Sequence, residues 1–367
     1  MNGLSGTNSN PVSSTKAAGA GKPGILFALA AWLFASSSAR AQEDIHAVAN
    51  MFDPKSVPAL QIHDVSLLVL LICAVIFIIV AGLITYTVLR FRHKGSEDDH
   101  EEPPQIYGSS QIELAWTVLP IIITVVLILV TARTIAEIQN AKMPESALQI
   151  RVVGHQWWWE VHYPGQGFVT ANEIHIPLST EEQPEITHVA LESADVIHSF
   201  WVPQLNGKTD LIPNRTNHLW LQPWETGTFL GNCAEYCGAQ HGHMLLRVIV
   251  HTPEDFKKWV ASQQAKPVTP PTDPKIALGY DTFVAHACIN CHTIDGTVAN
   301  GVFGPDLTHL MTRDTIGAGA ALNTPKNLWL WVRDPQASDM KPGCLMPDMK
   351  LLDSEVDQIV AYLETLK

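Results

Sequence analysis

The chain is 367 residues long, enough for two or three domains, and is 46% hydrophobic but only 16% charged, a balance that leans towards membrane proteins. With 36 acidic against 23 basic residues, the formal net charge is -13, which argues against nucleic acid as a partner. No internal repeat of 20 to 50 residues is visible.

Ile25 to Ala35 is an apolar run of 11 residues that follows Lys16 and Lys22 and leads to Ala39-Arg40-Ala41. That order reads as a secretory signal over residues 1–41, with cleavage leaving Gln42 first, a formal charge of -16 (20 basic against 36 acidic residues) and an exported segment over 42–63. Residues 64–90 and 112–135 follow as two long, mostly apolar runs. Each holds about 20 or more apolar positions, enough to cross ~30 Å of hydrocarbon at ~1.5 Å per residue. Arg90, Arg92 and Lys94 place the connecting loop, 91–111, on the cytoplasmic side, so both ends of the hairpin lie outside.

Beyond the hairpin the pattern changes to short alternating stretches: 149–154, 173–177, 185–191, 217–222 and 244–250. Turn residues separate them, as in a β-sandwich or barrel spanning 146–252. A short helix and a proline-rich linker are expected over 253–274, which is stiff and extended where prolines cluster. The last domain, 275–367, is small and helical and closes with Val356, Ile359, Val360, Leu363 and Leu366 at helical spacing behind an Asp353-Ser354 cap.

Two motifs carry chemistry. Cys233, Glu235, Cys237, His241 and Met244 fall within 12 residues, spaced C-x3-C-x3-H-x2-M. Two thiolates with a thioether favour copper over a zinc ribbon, which repeats C-x2-C pairs. His198, 35 residues before Cys233, supplies a second imidazole, reachable only through the β fold; His243 is the nearest rival to His241. Cys288-Ile289-Asn290-Cys291-His292 is a covalent haem-attachment motif, in which two thiols add to the vinyl groups and the histidine binds iron. Cys73 and Cys344 lie too far apart in the expected organisation to bridge. Glu113 sits at the edge of the second span. Trp157, Trp158 and Trp159 are consecutive on a strand, point to alternate faces, and therefore leave at least one indole exposed, with Trp159 assigned to the core. His155, His162, His175, His188 and His218 lack ligand spacing.

The copper loop, the upstream Asp195-Val196-Ile197-His198 stretch and the two-helix hairpin resemble subunit II of the haem-copper cytochrome c oxidases over residues 50–260, while 275–367 resembles a class I cytochrome c. The resemblance implies a cupredoxin-like Greek-key β-sandwich between a transmembrane hairpin and a small all-α cytochrome c domain. It further implies dinuclear copper A: Cys233 and Cys237 bridging two copper ions, His198 and His241 each binding one, Met244 as weak axial ligand, and the backbone carbonyl of Glu235 completing the shell. The Glu235 carboxylate would reach a magnesium or manganese ion shared with the partner. For the haem, Met346 in Lys341-Pro342-Gly343-Cys344-Leu345-Met346-Pro347 resembles the family's methionine ligand, with Met340 and Met349 as neighbours of the same type. Pro305 resembles the residue whose carbonyl orients the haem histidine.

The resemblance also makes Trp157 the electron-entry residue beside copper A, a role the tethered cytochrome could displace, and Glu113 the mouth of a proton channel in the partner. Surface acids such as Asp195 are candidates for steering a basic soluble cytochrome. The expected function is the electron-input subunit of an oxygen-reducing, proton-pumping oxidase in a bacterial-type plasma membrane. Partners would be subunit I, subunit III, membrane lipid, and a cytochrome c or quinol-oxidising complex as donor. The competing readings are the copper A subunit of a nitric oxide reductase and a membrane-anchored electron carrier without a catalytic partner.

Overall fold

The computed structural model describes residues 50–92, 105, 107–267 and 271–367; the expected signal peptide and most of the connecting loop, including Lys94, lie outside them. Two long helices, α1 (Val57–Arg90) and α2 (Ser110–Gln139), form the hairpin. Helix α1 begins at Val57, earlier than the apolar run from residue 64 predicts, so it takes in part of the expected exported segment. Pro58 favours a helix start, Pro58 and Ala59 are buried, and the hydroxyl of fully buried Ser56 accepts a hydrogen bond from Gln222 N–H at 3.1 Å. The end of α2 is tied down too, because the Trp220 indole donates to the Ile138 carbonyl at 2.7 Å. Between these ends the helices turn large apolar side chains outward, Phe77 and Leu119 among them, as lipid-facing helices do.

Ten strands follow, and they form two sheets: β1 (Leu148–His155), β2 (Trp158–Tyr163), β3 (Phe168–Ala171), β4 (Glu173–Pro177), β5 (Thr187–Ser193), β6 (His198–Trp201), β7 (Thr209–Leu211), β8 (Asn217–Leu221), β9 (Gly227–Cys233) and β10 (Leu245–His251). One sheet has the order β3-β2-β1-β5-β8 and the other β4-β10-β9-β6-β7. Parallel pairing of β1 with β5 and of β4 with β10 breaks the hairpin succession, as a Greek-key sandwich requires. Alternation places Ile150, Val152, Val161, Val189, Leu191 and Val248 between the sheets, all buried. Trp159 joins this core at 0% exposure, packed edge-on against Phe200.

Helix α3 (Pro253–Gln263) starts at Thr252, whose hydroxyl accepts from Asp255 N–H, and lays Trp259 over Tyr163, Phe168 and His175. The last domain consists of α4 (Pro274–Ala285), α5 (Pro325–Arg333) and α6 (Asp353–Leu363) with connecting loops. It is not wholly α, since Thr315–Ile316 and Ala321–Leu322 pair as a two-residue ladder. Asp353 is the first helical residue of α6 and Leu352 the cap position; the Glu355 carboxylate accepts the Leu352 N–H at 2.8 Å. All five apolar positions predicted for this helix region are buried. They close the domain's core on Phe283 and Leu328.

Candidate copper and haem centres

Strand pairing brings the copper residues together. Antiparallel β6 and β9 set Phe200 opposite Cys233, and His198, two residues before Phe200, comes within 3.9 Å of the Cys233 sulfur through Nδ1. The two thiols lie 3.8 Å apart, His241 Nδ1 is 3.7 Å from Cys237 Sγ, Met244 Sδ is 3.8 Å from the same sulfur, and the Glu235 carbonyl is 3.1 Å from Cys233 Sγ. All six expected groups are thus linked around the two sulfurs by contacts of 3.1 to 3.9 Å. Among the described residues, His198, Cys233 and Cys237 are the cluster of three or more potential metal-ligating side chains whose donor atoms lie within 4.8 Å. His243 points elsewhere, its Nδ1 bonded to Gln240 Oε1 at 2.6 Å.

The electrostatics favour soft metal binding. The hydrogen bond between the two thiols holds Cys233 far below its usual range, while the same neighbour and burial push Cys237 up, so the pair gives up its first proton readily. Burial opposes a charge on His198, but Asp195 and the Cys233 sulfur outweigh it and raise its pKa. His198 Nε2–H donates to Asp195 Oδ1 at 2.8 Å, which leaves Nδ1 facing the sulfurs. Asp195 also accepts from the backbone N–H of Gln156 and Val196, so this surface carboxylate is held in place around His198. Gly154 leaves room for this ring, because a Cβ there would stand 2.8 Å from His198 Cδ2. Two thiolates, two Nδ1 atoms, a thioether and a carbonyl, packed without a disulfide, fit copper A.

The second centre is a cavity of about 380 Å³ whose walls include Cys288, Cys291, His292, Met346 and Met349. A short 3₁₀ turn, Cys288–Asn290, presents the two thiols, and the His292 Nδ1–H donates to the Pro305 carbonyl at 2.8 Å, leaving Nε2 for iron. Burial lowers the His292 pKa, which keeps it neutral for ligation. Gly304 lies against this ring, where a Cβ would sit 2.6 Å from Cε1. Arg313, buried in the wall, has an Nε without a hydrogen-bond partner among the described residues, a donor suited to an acidic group entering the cavity. Apolar walls, paired thiols, an oriented imidazole and a waiting cation fit a haem with its propionates. Met340 is outside the lining, whereas Met346 and Met349 are both in it.

The tryptophan run departs from expectation. Residues 156–157 form a turn ahead of β2, and none of the three indoles is exposed. Trp158 stacks on His155 with centroids 4.3 Å apart, and both Trp157 and Trp158 line the haem cavity. Trp157, 8% exposed, donates its indole N–H to the Cys237 carbonyl at 3.0 Å. One side chain thus touches a copper-site residue and the haem cavity. His155 and His162, neither assigned a role from spacing, flank Glu160 at 2.9 and 2.8 Å.

Comparison with known proteins agrees with this geometry. Residues 45–133 match the family described as cytochrome c oxidase subunit II, transmembrane domain, 168–251 its periplasmic domain, and 276–367 cytochrome c. A cytochrome c oxidase subunit 2 from Alkalihalophilus pseudofirmus is 35% identical over 86% of this chain and 90% of its own length. The chain belongs to the cytochrome c oxidase subunit II family. Within that family, the protein of the same description from Bacillus sp. is 32% identical over 75% of this chain and 79% of its own. The solved periplasmic domain of the subunit II from Bradyrhizobium japonicum is 31% identical, covering 34% of this chain and 97% of that one, with a TM-score of 0.31. As a member with an added cytochrome c domain, the chain carries the copper A and haem modules of a haem-copper oxidase complex.

Proposed function

We propose that the chain is the electron-input subunit of a respiratory haem-copper terminal oxidase, taking electrons from cytochrome c or a quinol-oxidising complex through its own haem c and dinuclear copper A to the haem of subunit I, where oxygen is reduced to water with proton pumping. When bound, the haem and the copper pair supply reversible one-electron storage. The observation that carries the reading is Trp157, whose indole donates to the Cys237 carbonyl while lining the haem cavity. This places an aromatic bridge where the fused domain meets the copper domain. Trp157 then remains the entry residue, and the tethered domain occupies the place a soluble donor would take.

The remaining roles follow from the residues. Cys288 and Cys291 would hold the haem through their thiols, His292 and Met346 would bind its iron, and Pro305 orients His292. Cys233, Cys237, His198, His241, Met244 and the Glu235 carbonyl would together hold the copper pair. Exposed Glu235 has its carboxylate available for magnesium or manganese at the interface with subunit I. Glu113, in the first turn of α2, stands at the mouth of the partner's proton path. The two apolar helices anchor the chain in a bacterial-type plasma membrane, with both redox domains on the outer side.

The test is to purify the complex from membranes through this chain, record its optical spectrum, and follow oxygen and nitric oxide consumption with a reduced donor. Co-purification of a haem-containing partner with oxygen consumption is expected. Isolation without such a partner, or turnover of nitric oxide alone, would overturn the reading.

A further inference from the structure

Among the described residues, Lys341 and Glu173 are buried where the haem domain meets the copper domain and belong to no ligand set; Arg247 of the copper domain, also buried there, has Nη1 4.0 Å from an Asp314 carboxylate oxygen. Lys341 is 2% exposed, and its ammonium donates to three backbone carbonyls: Trp157 at 2.8 Å, His243 at 2.8 Å and Gly317 at 2.7 Å. Two of these acceptors belong to the copper domain, beside the bridging indole and the copper-ligand loop; only the third is in the haem domain. All three ammonium donors are used, one more than a neutral amine possesses. Cys344 and Cys237 are the ionisable groups facing it.

Glu173 makes the reverse connection. It lies on β4 of the copper domain, 1% exposed, and its carboxylate accepts from Asp314 N–H at 3.1 Å, Thr315 N–H at 2.9 Å and the Thr315 hydroxyl at 3.1 Å. Each domain thus sends one buried ionisable group into the backbone dipoles of the other, amine to carbonyls and carboxyl to amides, and these bonds work against burial, which lowers the Lys341 pKa to about 7 and raises that of Glu173. Between the two anchors, Leu245 N–H donates to the Ala318 carbonyl at 3.1 Å, extending β10 across the boundary, and the Gln240 side chain donates to the Pro342 carbonyl. Burying a charge is costly unless its hydrogen bonds are replaced in full, and both sites replace them only while the domains are docked.

We infer that Lys341 and Glu173 are positioning residues that lock the haem domain in one orientation on the copper domain, so that electrons cross a standing contact instead of awaiting an encounter between tethered partners. The inference rests on the functional reading above. A short linker alone supplies an effective concentration on the order of mM, at which a weakly held domain is undocked for part of the time. Two reciprocal anchors remove that fraction.

The experiment uses the complete oxidase complex with Lys341→Met, which keeps the chain length and removes every donor, and Glu173→Gln, which keeps the shape and removes the charge. Both variants should retain the wild-type haem and copper spectra, since no ligand changes. Transfer from haem to copper after flash reduction should slow at least tenfold in Lys341→Met and become sensitive to viscosity and ionic strength. Amide hydrogen exchange should rise together in segments 239–247 and 312–318, a readout independent of turnover. Glu173→Gln should show the same changes at smaller size, and it carries the test if Lys341→Met fails to assemble. Wild-type rates with unchanged exchange in the assembled variant would overturn the inference. An absence of haem-to-copper transfer in the wild type would instead strike the functional reading.

Discussion

The copper and haem centres are built on opposite plans. Around copper the ligands already touch one another: sulfur, imidazole and thioether stand 3.7 to 3.9 Å apart, held by the register of β6 against β9 and by a loop of 12 residues. Around the haem cavity the proposed ligands are spread along the last domain from Cys288 to Met346 and line a common space. A β scaffold fixes ligands through its backbone ladder, whereas a small helical domain arranges them around the group it encloses. The copper centre should therefore depend on individual contacts, and the haem centre on the integrity of a whole core.

The largest break in that comparison is Cys237→Ser. It removes the thiolate that meets Cys233, His241 and Met244, and the paired-copper electron paramagnetic resonance signal should vanish while the haem spectrum stays intact. Loss of the haem spectrum as well would show that the two centres fold as one unit.

How legible these centres were in the sequence follows from the same contrast. The copper loop and the haem motif each lie within a dozen residues, so spacing alone exposes Cys233, Cys237, Met244, Cys288, Cys291 and His292, while the family resemblance chooses His241 over His243. His198 was reachable only by analogy, because strand pairing across 35 residues leaves no local periodic trace. Strands β3, β6, β7 and β9 lack a legible alternating stretch, most being short, and β2 shows only through its tryptophans, the first of the run lying in the turn ahead of it. Lys341, Glu173 and Arg313 escaped altogether, since their partners lie across the domain boundary or in a cavity that only the folded chain creates. Asp195 drew notice as a surface acid, and its real engagement with His198 appears only when the 195–198 turn is seen.

A smaller effect sharpens the claim that copper depends on individual contacts. Asp195→Asn keeps the shape but loses the carboxylate that fixes the His198 ring, and copper affinity should fall about 10- to 100-fold, measured by competition with a chelator. Unchanged affinity would mean that the strand register alone holds the imidazole.

The smallest effect concerns acid stability of the sandwich. Burial would raise the Glu160 pKa, yet the hydrogen bonds and charges of His155 and His162 prevail and hold it at about 2, below its ordinary 4.5. A carboxylate with a depressed pKa stabilises the fold fully above its unfolded value and loses that contribution as pH falls through its folded one. Between pH 4.5 and 2, the melting temperature of the copper domain should accordingly drop more steeply in the wild type than in Glu160→Gln, by a few degrees. Parallel curves would show that the histidine pair contributes nothing.

The fastening of the hairpin has a mechanical consequence. The chain just before α1 is gripped by the segments after β6 and after β8, with Lys55 N–H on the Gln204 carbonyl and Trp224 N–H on the Lys55 carbonyl, while the far end of α2 is held through Trp220 on β8 itself. A module hung from one helix can spin about that axis; one clamped at two separate points cannot. The sandwich stands on the bilayer as a bracket with two bolts, and whatever docks against it inherits a set heading relative to the membrane plane.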